Sequence, residues 1–499
     1  MSKKFLLALS LGVAATLASA QTLRIGLAED PDILDPSLAR TFVGRIVFSS
    51  LCDKLLDLDE KLNIVPQLAT SYQWSADNKA LTLKLRSGVT FHDGEKLNAA
   101  AVKFNIERHK NLPGSNRRGE LAPVTTVDVV DEQTVRLNLN APFAPLLSVL
   151  ADRAGMMVSP KAAQANAANF GANPVCSGPF RFVERVAQDR IVLERYQNYW
   201  DKASIHFDKV IFRPIVDATV RLANLRSGQL DFIERVAPSD IASIKSDSKL
   251  AVSRITELGY QGITINVAKS EQAKQTALGR DARVREAFEL ALDRDGIVQV
   301  AMDGEAEAGN QWVSPGNSFY AKNNPIPKHN VARAKALLKE AGVTNPTVNL
   351  MTATTADAQR LAQVVQAMAK EAGFDVKIQS TEFATSLNLA DKGQFDAYIL
   401  AWSGRADPDG NLYSFYGCKQ PLNYHGICKP EWDDLLNRSR STQDKAARLK
   451  LFEQLSAEIV KERPIIYLYH RNWLYAATSK LSGLRPVPDG LVRVQGLKM

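Results

Sequence analysis

The stretch from Thr347 to Ile378 constrains the fold more than any other part of the chain. Thr347-Val-Asn-Leu-Met alternates like a strand, Asp357–Ala372 repeats its apolar residues with a helical period, and Phe374-Asp-Val-Lys-Ile alternates again. Strand, helix and strand in that order pair the two strands in parallel, because the helix carries the chain back to the end of the sheet where it began. This part must therefore belong to a mixed α/β layer rather than to a helical bundle or an antiparallel sandwich.

Similar signals recur along the chain. Thr22–Leu27, Ala80–Arg86, Val135–Leu139, Phe180–Val183, Arg190–Arg195, Lys209–Phe212 and Gln261–Val267 read as strands. Arg45–Leu56, a stretch opened by Asn98, Ala218–Ser227, Arg283–Arg294, Val331–Ala341 and Ala446–Lys461 read as helices. Phe395–Trp402 and Pro464–Tyr469 are apolar enough to be buried strands, and the tail from Ser482 is polar and turn-rich. A chain of 499 residues exceeds what one core can organise, so two or three domains are expected.

The first twenty residues read as an export signal. Lys3 and Lys4 precede the apolar run from Phe5 to Ala15, and Ala18-Ser19-Ala20 supplies the small residues at a cleavage point. The run is shorter than the roughly 20 apolar residues that span a bilayer. Cleavage after Ala20, a mature chain from Gln21 and a periplasmic location are expected. No cysteine stands at the cleavage point, which argues against a lipid anchor. The formal charge of +8 falls to +6 when the two signal lysines are removed. The basic residues are scattered among acids, so no nucleic-acid partner is expected.

Export also decides how the four cysteines are read. Disulfides persist outside the cytoplasm, and four cysteines allow three pairings. Cys418 and Cys428 flank a short, turn-rich segment and are expected to pair, leaving Cys52 with Cys176. A metal centre is disfavoured, because only His425 lies near a cysteine in sequence.

Catalysis finds little support. His92-Asp93 and the Asp407/Asp409 pair are the acid–base candidates, yet no zinc-protease helix motif, phosphate loop, nucleophile elbow or dinucleotide fingerprint occurs. Asp407-Pro-Asp-Gly lacks the later glutamate of a calcium loop. The reading is a non-enzymatic protein without cofactor or bound metal.

Several ordered stretches carry a family resemblance. Pro66-Gln-Leu-Ala-Thr-Ser-Tyr-Gln-Trp-Ser through Phe91-His-Asp-Gly is the most specific. Ser177-Gly-Pro-Phe, Asn198-Tyr-Trp, Ser227-Gly-Gln-Leu-Asp, Val284–Arg294 and Trp402…Asp407-Pro-Asp follow in order. Over the whole mature chain the sequence resembles the extracellular solute-binding proteins of family 5, the dipeptide, oligopeptide and nickel group. The resemblance implies an α/β periplasmic-binding-protein-like fold of the cluster C type, with two mixed α/β lobes around a cleft and an extra α+β subdomain. Residues 21–50, 177–265 and 479–499 would form lobe I, residues 51–176 the inserted subdomain, and residues 266–478 lobe II. Two strands would cross between the lobes as a hinge. The implied function is capture of a peptide-like small solute for the permease subunits of an ABC importer, by a monomer. Nickel, haem, glutathione, opines and sugars are alternative cargoes of such proteins, and His425 and His470 are the histidines near the implied site.

The same resemblance assigns the site. Asp407 matches the aspartate that meets a ligand's α-ammonium, although Asp-Pro-Asp-Gly is equally good turn and capping chemistry. Ser403 and Gly404 fall where extended backbone meets the ligand, and Trp402 is either a cleft wall or a core residue. The family's carboxylate-binding arginine has no match in Met351-Thr-Ala-Thr-Thr-Ala. Arg405 is the expected substitute, with an ion pair to Asp407 or Asp409 as the other reading, and Arg471 is a weaker candidate.

Overall fold

The computed structural model describes residues 21–499, so the export signal lies outside the described residues. Among them, one continuous twelve-stranded sheet runs through the molecule. On one side, Asp375–Thr381, Thr347–Ala353 and Ala397–Trp402 run parallel to one another, as the strand–helix–strand reading requires. Tyr260–Ile265 then pairs antiparallel with Ala397–Trp402 and with the long strand Ile465–Thr478. On the other side, Phe232–Ile233, Thr22–Leu27, Lys209–Pro214, Arg190–Arg195 and Phe180–Val186 continue the sheet.

Ile465–Thr478 is the element that makes two lobes one molecule. Its first half pairs with Tyr260–Ile265, and its second half pairs with Leu250–Thr256 and Phe232–Ile233. The chain crosses a second time at Glu257-Leu258-Gly259, between strands Leu250–Thr256 and Tyr260–Ile265. The sequence-based boundary put residues 177–265 in lobe I. Tyr260–Ile265 instead sits between Ala397–Trp402 and Ile465–Thr478, since all six of its residues are buried and need neighbours on both edges and faces.

Separate cores underlie this division. Leu23, Ile25, Phe48, Phe180, Phe212 and Trp473 pack in one lobe, and Ile263, Phe288, Leu350, Val365 and Ile466 in the other. Between residues 51 and 176, Leu81, Leu83, Val102, Ile106, Val135 and Leu137 form a third core. It lies between the antiparallel sheet of Ala69–Trp74, Ala80–Leu85, Thr134–Leu139 and Val124–Asp131 and the helix Ala99–Asn111. Asn98 caps that helix by accepting from the Ala101 amide at 3.0 Å.

Both disulfides form as expected: Cys52 with Cys176, and Cys418 with Cys428. Helix Phe42–Leu51 stops short of the expected Leu56, where Cys52 leaves helical geometry and is drawn to Cys176. The Gly178 amide also donates to the Leu51 carbonyl at 3.0 Å. The disulfide and this bond make a covalently tied neck between residues 51–52 and 176–178, and Met156, Val158, Ala163 and Phe170 already pack into the lobe I core before the chain reaches it.

Candidate functional site

The strand Ala397–Trp402 delivers the segment of interest. Trp402 ends the strand, Gly404 turns left-handed at φ +76°, and helix Asp409–Tyr416 begins five residues later. Asn411 organises this turn: its Oδ1 accepts from Trp402 Nε1 and from the Arg405 amide, both at 2.8 Å. Trp402, Arg405, Asp407 and Asp409 face a cavity of about 590 Å³, whose opposite wall is Asn116, Glu120, Phe143, Ser148 and Asp152 from the inserted subdomain. Ser403 and Gly404 are not among its lining residues. A Cβ on Gly404 would lie 2.2 Å from the Leu258 carbonyl carbon, and one on Gly259 would lie 1.7 Å from the Trp402 carbonyl oxygen. The glycine at 404 thus serves backbone packing against the hinge crossing rather than approach of a solute.

Arg405 spans the seam. Its guanidinium lies 4.8 Å above the Trp402 ring, and its Nε stands 3.6 Å from Asp152 Oδ2. The sequence reading offered Asp407 or Asp409 as its ion-pair partners; the partner is Asp152, 253 residues earlier, which no local pattern points to. Two further contacts close the same seam: the Ala144 amide donates to the Arg440 carbonyl at 2.7 Å, and the Asp407 amide donates to Ser148 Oγ at 3.2 Å.

Asp407 has a partner of its own. Arg448 donates from both Nη atoms at 2.7 Å, and Asp407 Oδ1 also accepts from the Asp409 amide at 2.9 Å. The ion-pairing and turn-capping roles therefore coexist, leaving one unfilled acceptor position on Oδ2 among the described residues. Arg448 was missed in the sequence, but a signal was present. It stands one turn before Leu451 and Phe452 on the apolar stripe of helix Lys445–Glu462, where an arginine marks a buried, paired charge. Asp409 has its Oδ1 3.1 Å from Arg440 Nε; burial pushes its carboxyl up to about 7, partly offset by that arginine.

A second cavity of about 590 Å³ lies along the hinge, between Arg221 and Arg235 of lobe I and Asp357, Tyr398 and Phe383 of lobe II. Arg471 lines it from the crossing strand and forms a two-armed pair with the fully buried Glu257, both arms at 3.2 Å. His470, one residue before, bonds the Gly259 carbonyl through Nδ1 at 2.5 Å, and burial lowers its pKa. His425 is enclosed between Tyr416 and Trp432, and neither histidine lines either cavity. Among the described residues no group of three or more His, Cys, Asp or Glu side chains is arranged to hold a metal ion. Nor is any described helix long and apolar enough to cross a membrane.

Two mixed α/β lobes joined by crossing strands, with cavities walled from both sides, define a binding protein of the hinged, two-lobed class. The chain belongs to the bacterial extracellular solute-binding proteins, family 5, whose middle region it matches over residues 63–423. It is 28% identical over 473 residues to the glutathione-binding protein GsiB of Pectobacterium atrosepticum, an alignment covering 92% of this chain and 90% of that protein. The periplasmic binding protein AgaA of A. tumefaciens R10, solved in complex with agropinic acid, is 27% identical, with a TM-score of 0.83 over 96% of this chain and 98% of AgaA. A dipeptide-binding protein from a Pseudoalteromonas species, solved with Met-Leu, shares the fold at 21% identity, with a TM-score of 0.84 over 96% of this chain and all of that one.

Proposed function

We propose that this chain is a periplasmic, non-enzymatic receptor that captures a small peptide-like solute bearing a carboxylate, and delivers it to the permease of an ABC importer. The observation that carries this reading is the cavity between the inserted subdomain and the Trp402–Asp409 segment, with Arg405 reaching across it. A buried carboxylate needs a paired cation, and a guanidinium that already stacks on an indole is held in position to supply one. Trp402 walls the cavity, and the free position on Asp407 Oδ2 is available to a ligand ammonium. Glutathione is the probe of choice, because the similar GsiB protein is named for binding it and because it carries carboxylates and an ammonium together. Lobe closure follows from differential contact, since only the closed form lets both walls touch the solute. Isothermal titration of the mature protein with glutathione, Met-Leu and nickel(II) tests the reading. Saturable one-to-one binding of glutathione or the dipeptide is expected. Binding of nickel(II) alone would replace it with the metal-carrier reading.

A further inference from the structure

The two disulfides sit in opposite surroundings. Cys52 and Cys176 are 1% and 0% exposed, whereas Cys428 is exposed and Cys418 half-buried. Exposed disulfides are the ones that exchange with thiols, because an attacking thiolate must reach one of the two sulfurs. Cys428 also stands just before Lys429, the residue that opens helix Pro430–Ser441. The positive end of that helix stabilises a thiolate at Cys428 and so favours the opened form. Between the two cysteines, Gln420 and Pro421 line the cavity beside Tyr413 and Ser414. Lys419, next to Cys418, is held in the left-handed region at φ +59°. A lysine keeps that conformation only where its surroundings enforce it, and the ring closed by Cys418–Cys428 is what spans it. The ends of the loop are anchored independently. The Cys418 amide donates to Asp433 Oδ1 at 2.9 Å, and Asn423 Nδ2 donates to the Gly417 carbonyl at 3.0 Å and to the Ile427 carbonyl at 2.9 Å. Opening the disulfide therefore frees residues 419–421 without undoing the loop.

We propose that Cys418–Cys428 is a thiol-responsive clip on the cavity wall: a low-molecular-mass thiol opens it, Lys419 relaxes out of the left-handed region, and Gln420 and Pro421 leave the positions that shape the cavity. The thiolate attacks Cys428 Sγ and forms a mixed disulfide there. The bond between the two protein sulfurs breaks, and its electron pair leaves on Cys418 Sγ, which takes a proton from water. A second thiolate then displaces Cys428 from the mixed disulfide. Two small thiols are thereby oxidised to one disulfide, and the protein disulfide is reduced to two cysteines. The effect on binding rests on this cavity being the solute site; the opening of the bond does not.

Three measurements test this. In the first, the mature protein is equilibrated with graded ratios of glutathione to glutathione disulfide, trapped with N-ethylmaleimide and read by peptide mass spectrometry. Cys418 and Cys428 should become alkylated at ratios that leave Cys52–Cys176 closed. Opening of both bonds together, or of neither until urea is added, overturns the proposal. The second compares amide hydrogen exchange in oxidised wild type, thiol-opened wild type and the variant Cys418→Ser/Cys428→Ser. Exchange should quicken over residues 419–422 in both opened forms and stay unchanged over helix Asp409–Tyr416. Unchanged exchange over residues 419–422 would show that the bond does not hold the wall, and overturns the proposal. The third is calorimetry with Met-Leu and S-methylglutathione, neither of which carries a thiol. The serine variant should bind more weakly than wild type by about tenfold, the worth of ordering two wall side chains anew. Equal affinity in a folded serine variant overturns the clip's hold on binding. If wild type binds neither probe, the peptide-receptor reading fails, while alkylation and exchange still decide the clip.

Discussion

The Asp407 carboxylate is gripped by both terminal nitrogens of Arg448, each at 2.7 Å, although the two residues are 41 positions apart. This pair fastens the cavity segment to helix Lys445–Glu462. Arg448 is almost fully buried, so removing its partner leaves an enclosed cation unpaired.

Asp407→Asn is accordingly expected to lose about 3–5 kcal/mol of stability. Urea unfolding measures it. The double variant Asp407→Asn/Arg448→Met should recover most of the loss, because an apolar chain replaces the stranded charge. An unchanged unfolding midpoint in the single variant would show that the pair does not hold the segment. A loss of glutathione affinity in the double variant, with folding restored, would assign a ligand ammonium to Asp407.

The two disulfides should differ in worth. Cys52–Cys176 closes a loop of 124 residues and Cys418–Cys428 one of 10. In the chain-entropy account these contribute about 5 and about 3 kcal/mol. Replacing the first pair by alanines should lower the denaturation midpoint more than replacing the second. The reverse order would show that the neck of the inserted subdomain is held by its core alone.

His109 gives a pH signature. It is buried between Ser37 Oγ, 2.9 Å from Nδ1, and the Met156 carbonyl, 3.1 Å from Nε2, and burial lowers its pKa to about 4. The folded value lies below the ordinary 6.5, so the unfolded chain takes up the proton first. The stability tied to neutral His109 is complete above pH 6.5 and is lost as pH falls toward 4. His109→Gln lacks this titration. Its stability deficit relative to wild type should therefore shrink across that window, as read from urea midpoints at each pH. A deficit independent of pH would contradict the assignment.

Much of the fold was legible because its signals are local. The parallel strands flanking the helix from residue 356, the Asn98 cap and the Cys418–Cys428 loop each depend on residues close in sequence. The long strand was read only as far as Tyr469, because His470-Arg471-Asn472 interrupts the apolar run. Those polar groups are met by Gly259, Glu257 and Glu305, all far away in sequence. The site was legible as a segment but not as a set of partners. Asp152 meets Arg405, and Arg45 joins them, only after the three parts of the fold have assembled.

The central claim is that a solute is captured by closure of two lobes around it. No free cysteine occurs among the described residues, so thiols introduced at Val220 of lobe I and Val300 of lobe II, both exposed, can be spin-labelled selectively. The distance between the labels is then measured by pulsed electron resonance with and without saturating glutathione. The account predicts a shorter and narrower distance distribution with the solute present. An unchanged distribution, with glutathione bound, would contradict capture by closure.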